Sequence, residues 1–137
     1  MIEIPASHLD LLEKPVLAAL ATLMPDGQPQ VNSVWCRYYG GCLQIFTIQG
    51  SQKERNLRAR KRATALFMDP ANPFRYLEVR ALLDDDFTDG AEELADRLTQ
   101  KYLGQPAYFG SVVPLEQRKS MVLVAFNLRP THVVTLG

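Results

Sequence analysis

The chain holds only two histidines, two cysteines and one tryptophan in 137 residues, and each scarcity removes a class of chemistry. Neither His8 nor His132 stands in a Ser, Cys or carboxylate pattern that would pair a nucleophile with its base, so hydrolytic catalysis is not expected. Both read as surface or capping residues. Cys36 and Cys42 have no CxxC partner and no neighbouring histidine, which argues against a metal site. If Gly40-Gly41 is a two-residue hairpin loop, residue 39 opposes 42 and residue 36 opposes 45. The sulfurs are then offset by three pairs, beyond the ~4.4–6.8 Å Cα separation of a disulfide. A three-residue loop centred on Tyr39 would bring them opposite each other but suits the glycines less well. Buried free thiols in a reducing compartment are the expectation. No apolar run approaches the ~18–20 residues of a membrane span. The start, MIEIPASHLD, lacks the basic and apolar stretches of a signal peptide. These absences, with 47% apolar and 22% charged residues, lead us to expect one soluble, cytoplasmic domain over residues 1–137.

Net charge is missing too, with 15 basic residues against 15 acidic, yet the two signs are segregated. Lys53, Arg55, Arg58, Arg60, Lys61 and Arg62 face only Glu54 within their stretch. Asp84, Asp85, Asp86, Asp89, Glu92, Glu93 and Asp96 form an acidic block without a basic residue. That block suits the solvated opening of a helix, where negative groups meet the positive end of the helix dipole. A basic helix on a small barrel is also one way to bind nucleic acid. The pI of about 6.7 and the lack of aromatics interleaved with the basic run argue against that use.

Hydrophobic patterning gives the scaffold. HLDLLEK is a short helix that Ser7 and Asp10 open and Pro15 ends. VLAALATLM is apolar on both faces and stops at Pro25-Asp26-Gly27. QPQVNSVWCRYY alternates, with Val31 and Trp35 on one face and Gln30, Asn32 and Val34 on the other. After Gly40-Gly41, CLQIFTI is its hairpin partner. SQKERNLRAR is helical, and ATALFMD returns as a strand. FRYLEVRALL is a long strand with Tyr76, Glu78 and Arg80 on one side and Leu77, Val79 and Ala81 on the other. Thr88 caps the helix DGAEELADRLTQKYL. Residues 104–114 form a loop, and SMVLVAFNLR and HVVTL are two closing strands with a turn at Pro130. About seven strands and two or three helices, with hairpin links, make an α+β protein on a small antiparallel barrel. Trp35 is expected in core or interface packing. Tyr102, Tyr108 and Phe109 either pack the loop or cover a pocket.

Chemistry concentrates after the strand CLQIFTI. Thr47 to Asn56 runs strand, glycine turn, helix start, and a helix N-terminus suits a phosphate. Ser51 either caps that helix or donates its hydroxyl, Lys53 and Arg55 supply charge, and Arg58 is spaced to pair with Glu54.

Three ordered segments, LATLMPDGQPQVNSVW, CLQIFTIQGSQKERNL and ALFMDPANPFRYLEVR, resemble the pyridoxamine 5′-phosphate oxidase-like split-barrel family. The likeness is to its short flavin- or deazaflavin-dependent branch, and runs from about Leu12 to HVVTL. It implies a split barrel that pairs as a homodimer, with cofactor sites at the subunit interface. The cofactor implied is FMN or the deazaflavin F420. Gln30, Val31 and Asn32 would lie along the ring, with Ile45, Phe46 and Thr47 beside it. Ser51, Lys53, Arg55 and Asn56 would hold the phosphate and ribityl chain, and Tyr76, Glu78 and Arg80 would approach from the second subunit. The activity implied is hydride transfer between that cofactor and a small conjugated substrate, protons coming from solvent or a tyrosine. Surplus charge at Arg58, Arg60, Lys61 and Arg62 suits the longer anionic tail of F420. A carrier that binds FMN, F420 or haem without turnover is the alternative. Oxidation of vitamin B6 is not expected, because the tail NLRPTHVVTLG lacks the Arg- and His-rich segment of the longer oxidases.

Overall fold

The computed structural model describes residues 2–137. After a 3₁₀ turn at Ala6–His8, the elements are α1 (Asp10–Glu13), β1 (Ala18–Leu23), β2 (Pro29–Val34), β3 (Arg37–Tyr39) and β4 (Cys42–Ile48). They continue with α2 (Gln52–Arg60), β5 (Arg62–Asp69), β6 (Asn72–Phe87), α3 (Ala91–Leu103), a 3₁₀ turn at Leu115–Lys119, and β7 (Leu123–Leu136). The seven strands form one antiparallel sheet in the order β2-β1-β5-β6-β7-β4-β3.

That order explains the barrel. β2 and β3 are the two ends of the sheet, yet only Trp35 and Cys36 separate them in the chain. Val34 and Arg37 are therefore at most roughly 11 Å apart, and a sheet whose edges are tied so closely must roll up. The rolled interior holds Leu20, Ile45, Phe67, Leu77, Val79, Phe126 and Leu128, all fully buried, and Leu57 of α2 plugs into it. A second apolar cluster lies outside the barrel wall, where Leu94 and Leu98 of α3 pack on Leu123, Ala125 and Phe109.

The expected α+β antiparallel barrel is therefore present, but the strands divide differently. QPQVNSVWCRYY is two strands, broken at Trp35-Cys36. SMVLVAFNLR and HVVTL are one strand with Pro130 inside it. Lacking an N–H, Pro130 sits opposite Ala81 where the register slips, so the ladder bulges instead of ending. The predicted Gly40-Gly41 hairpin is correct, with Tyr39 opposite Cys42. Both cysteines are free, Cys36 buried and Cys42 only partly so.

Other local expectations change. Asp84, Asp85 and Asp86 lie on the end of β6, not on a helix, where they meet Arg129, Asn127 and Arg58 respectively. The N-cap of α3 is Gly90, not Thr88, and α1 has no side-chain cap. Asp10 instead pairs with Arg75 of β6 at 2.5 Å, and that guanidinium holds its carboxyl below the usual range. His8 is buried: its Nε2 donates to the carbonyl of Leu136 at 3.0 Å, and its Nδ1 accepts from the Ser7 hydroxyl at 2.8 Å. His132 is exposed, as expected.

Candidate functional site at the barrel seam

Rolling the sheet leaves a seam. β2 pairs with β1 on one side only, and β3 covers β4 only as far as Gln44. The outer edge of β2 and the Ile45–Ile48 half of β4 therefore keep unpaired main-chain donors and acceptors. At this seam lies a cleft of about 350 Å³ lined by Leu17, Ser33, Val34, Trp35, Phe46, Lys53, Tyr108 and Val112. Three of these residues, Trp35, Phe46 and Tyr108, are aromatic. Phe46 and Tyr108 meet edge to face with centroids 5.1 Å apart, and Trp35 lies flat on Tyr102 at 5.5 Å. Burial pushes the Tyr108 phenol above its ordinary pKa, so at neutral pH it stays a protonated donor.

Lys53 is the one charged side chain in that lining. It comes from the first turn of α2, which the sequence starts in a defined way. Gly50 takes a φ of 91° that a residue with a Cβ rarely adopts. Ser51 then caps the helix, its Oγ accepting from the N–H of Glu54 at 3.2 Å, while Glu54 Oε1 accepts from the N–H of Gly50 at 2.6 Å. This is a slightly displaced capping box. It leaves the N–H groups of Gln52 and Lys53 as the free donors of the first turn. Burial lowers the Lys53 pKa, with no carboxylate near enough to oppose the effect. An ammonium half withdrawn from water without a counter-charge, beside open helix N–H groups, is suited to an anion.

The sequence profile of the pyridoxamine 5′-phosphate oxidase family matches residues 4–133. The chain belongs to that family. An F420 reductase is similar in structure at a TM-score of 0.80 and 34% sequence identity, over 96% of this chain and 98% of that one. A conserved hypothetical protein of Mycobacterium tuberculosis aligns at 0.76 and 20% identity, over 99% of this chain and 86% of that one. The haem storage protein HutZ of Vibrio cholerae aligns at 0.66 and 14% identity, over 99% and 96% of the two chains, and shares the fold. No curated protein matches significantly.

Within this split barrel, the predicted site residues take up different positions. Phe46 and Lys53 line the cleft. Gln30, Val31 and Asn32 lie on β2 beside it, with Val31 61% exposed on the outer face and Gln30 and Asn32 opposite Thr22 and Leu20. Thr47 and Ser51 share a hydrogen bond of 3.0 Å at the base of α2, so both hydroxyls are engaged. Arg55 is exposed and folds back on the turn, donating to the Gly50 carbonyl at 2.5 Å and to Gln52 at 2.7 Å.

Two assignments need correction. Ile45 points into the barrel core with 1% exposure, so only its main chain faces the seam. Asn56 is fully buried. Its amide donates to Thr22 Oγ1 at 3.1 Å and to Gln30 Oε1 at 3.3 Å, and accepts from Gln52 at 2.8 Å and Arg60 at 3.1 Å. With every position filled, it braces α2 against the β1–β2 hairpin and has nothing left for a phosphate. The remaining residues, Tyr76, Glu78 and Arg80, share the outer face of β6 as the alternation predicts. β1 and β5 separate that strand from β2, so within one chain these residues stand away from the cleft. There Arg80 binds Glu78 at 2.6 Å and borders, with Arg62, a separate groove of about 500 Å³.

Sequence reasoning did not assign Leu17, Ser33, Trp35 or Val112 to the site. Only Trp35, a lone tryptophan at the end of an alternating segment, carried a signal that could have drawn attention. The basic stretch also shrinks as a source of free charge. Arg58 pairs with Glu54 at 3.2 Å, as its spacing suggested, and with Asp86 at 3.4 Å. Arg60 donates to the Leu23 carbonyl at 2.6 Å and to Asn56.

Proposed function

We propose that the seam cleft holds the tricyclic ring of a flavin or deazaflavin, and that the protein is a two-electron oxidoreductase acting on a small conjugated substrate. The observation that carries this reading is Lys53, an unpaired, half-buried ammonium in the same cleft as Trp35, Phe46 and Tyr108. The residues present fit such a group: aromatic walls for a planar ring, a cation with helix N–H groups for a phosphate, and open strand edges for the ring's polar side. Lys53 and Arg55 would take the phosphate, and the main chain of β2 from Gln30 to Ser33 would meet the heterocycle. Once bound, the cofactor supplies the hydride chemistry. The chain orients it, excludes water with Val112 and Tyr108, and offers the Tyr108 O–H as a proton donor.

Likeness to the 34% identical F420 reductase favours the deazaflavin over FMN. For a long anionic tail, Lys61 and Arg62 would supply the further charge, since Arg58 and Arg60 are engaged. No histidine lines the cleft, which speaks against haem. A second copy would cover the outer sheet face, where Val31, Met68, Phe74 and Leu136 are 61%, 51%, 78% and 49% exposed. Such a homodimer would bring the partner's Tyr76, Glu78 and Arg80 within reach of the site.

Titration of the purified protein with F420 and with FMN, followed by absorbance and fluorescence, tests the proposal. Saturable binding, tighter for F420, is expected, together with oxidation of the reduced cofactor by a conjugated enone or quinone. Absence of binding to both sinks the reading. Binding without turnover on any conjugated acceptor makes the protein a carrier.

A further inference from the structure

The break between β2 and β3 is what carries the chain across the seam, and the two residues there have no ladder partners. Backbone polar groups buried without partners are costly, so something else must satisfy them. The last turn of α3 does this for Cys36. Lys101 donates to the Cys36 carbonyl at 2.7 Å and to the Leu12 carbonyl at 2.6 Å. The Tyr102 hydroxyl accepts from the Cys36 N–H at 3.2 Å and donates to the Val16 carbonyl at 2.8 Å. The Tyr102 ring supports the neighbouring indole of Trp35, stacked nearly parallel to it at an angle of 10°. Trp35 in turn lines the cleft, whereas Lys101 and Tyr102 do not.

We propose that Lys101 and Tyr102 are positioning residues, which fix the Trp35–Cys36 break from outside and so set the aromatic wall of the cleft. The effect on ligand binding rests on the cofactor reading given above; the effect on Trp35 does not. Lys101 suits the role because its half-buried ammonium binds two carbonyls at once. Tyr102 joins the segment just before β1, the break and the indole through one side chain. Loss of the hydroxyl alone frees the Cys36 N–H, whereas loss of the ring also removes the support of Trp35.

Trp35 is the only tryptophan, so its fluorescence reports on the wall without ambiguity. The test compares wild type, Tyr102→Phe, Tyr102→Leu, Lys101→Met and Lys101→Arg. Each is measured for cofactor-free Trp35 emission, near-ultraviolet circular dichroism, urea unfolding, and dissociation constants for F420 and FMN. Expected is a red shift of Trp35 emission in Tyr102→Leu and Lys101→Met, with affinity down about tenfold in protein that still unfolds cooperatively. Tyr102→Phe and Lys101→Arg, which each keep part of the arrangement, should fall between these and wild type. Unmoved Trp35 emission in every folded variant overturns the proposal. A loss of affinity with unmoved emission overturns it as well, since the effect would then bypass Trp35. If Tyr102→Leu does not fold, the same criteria apply to Tyr102→Phe and Lys101→Met. If wild type binds neither cofactor, the function proposed above fails, and emission alone decides on the clamp.

Discussion

The two ends of α2 carry the same kind of side chain and put it to different use. At the C-terminal end, Arg58 and Arg60 are engaged, one with Glu54 and Asp86, the other with the Leu23 carbonyl and Asn56. At the N-terminal end, Lys53 has no ionic partner, and Arg55 touches only its own turn. One end ties the helix to the barrel, and the other leaves cationic groups at the mouth of a cleft. A charge count cannot distinguish them; partner geometry can. Unpaired half-buried charge costs stability, so its presence points to a ligand more strongly than a surplus of paired charge does.

Substitutions at the two ends should separate binding from stability. The largest effect is expected for Lys53→Ala with Arg55→Ala. Two charged contacts to a phosphate at about 1.5 kcal/mol or more each give a loss of cofactor affinity of roughly a hundredfold. Unfolding in urea should show no loss of stability, because neither side chain supports the core and removing the half-buried Lys53 charge relieves a cost. A dissociation constant within a factor of three of wild type would remove both residues from the site. Next comes Arg60→Ala, which should behave in the opposite way. It frees the Leu23 carbonyl and unbalances Asn56, and a buried network that loses a charged donor is expected to lose about 2 kcal/mol of stability. If Arg60→Ala weakened binding without lowering stability, the proposed division of α2 would be wrong.

A third effect is smaller and depends on pH. Burial depresses the Lys53 pKa, and a bound anion favours the charged form. Affinity for an anionic cofactor should therefore be full while Lys53 is protonated. It should decline as pH rises through the lowered pKa, earlier than an ordinary lysine would allow. Lys53→Arg should abolish the decline, because a guanidinium stays charged throughout. Titrations at stepped pH read this directly, and an identical pH profile in both proteins would show that Lys53 is not the group responsible. Folding responds with the opposite sign. Between the lowered folded value and the unfolded value near 10.5, the unfolded chain binds more protons, so stability should rise with pH.

Much of this arrangement was readable from local pattern. The hairpin at Gly40-Gly41, the outward row of Tyr76, Glu78 and Arg80, and the glycine turn into α2 follow from alternation and turn chemistry, which act over a few residues. What escaped depends on partners distant in sequence. Asn56 looked like a polar ligand residue because its partners, among them Thr22, Gln30, Gln52 and Arg60, come from β1, β2 and both ends of α2. The acidic run looked like the start of a helix, and Glu92 and Glu93 do open α3, but Arg58, Asn127 and Arg129 let Asp84, Asp85 and Asp86 continue β6. Nothing in QPQVNSVWCRYY marks Cys36 as a break, since the groups that replace its ladder, Lys101 and Tyr102, lie some 65 residues further on. Family resemblance grouped Phe46 and Lys53, which line the cleft, with Ile45 and Asn56, which are buried. It did not separate the residues that line the cleft from those that build its frame.

Arg58 gives the smallest expected effect and the most direct control on charge counting. It was attractive as a holder of a long anionic tail, being one of six basic residues between Lys53 and Arg62. In the structure its side chain is 46% exposed and bridges Glu54 to Asp86. Exposed ion pairs contribute up to about 1 kcal/mol and are screened by salt. Arg58→Ala should therefore lower stability by less than about 1 kcal/mol, and the difference from wild type should shrink at 1 M NaCl. Affinity for F420 should stay within a factor of two of wild type. A tenfold loss confined to F420, with FMN unaffected, would mean that Arg58 leaves its partners for the tail, and that the two ends of α2 act together.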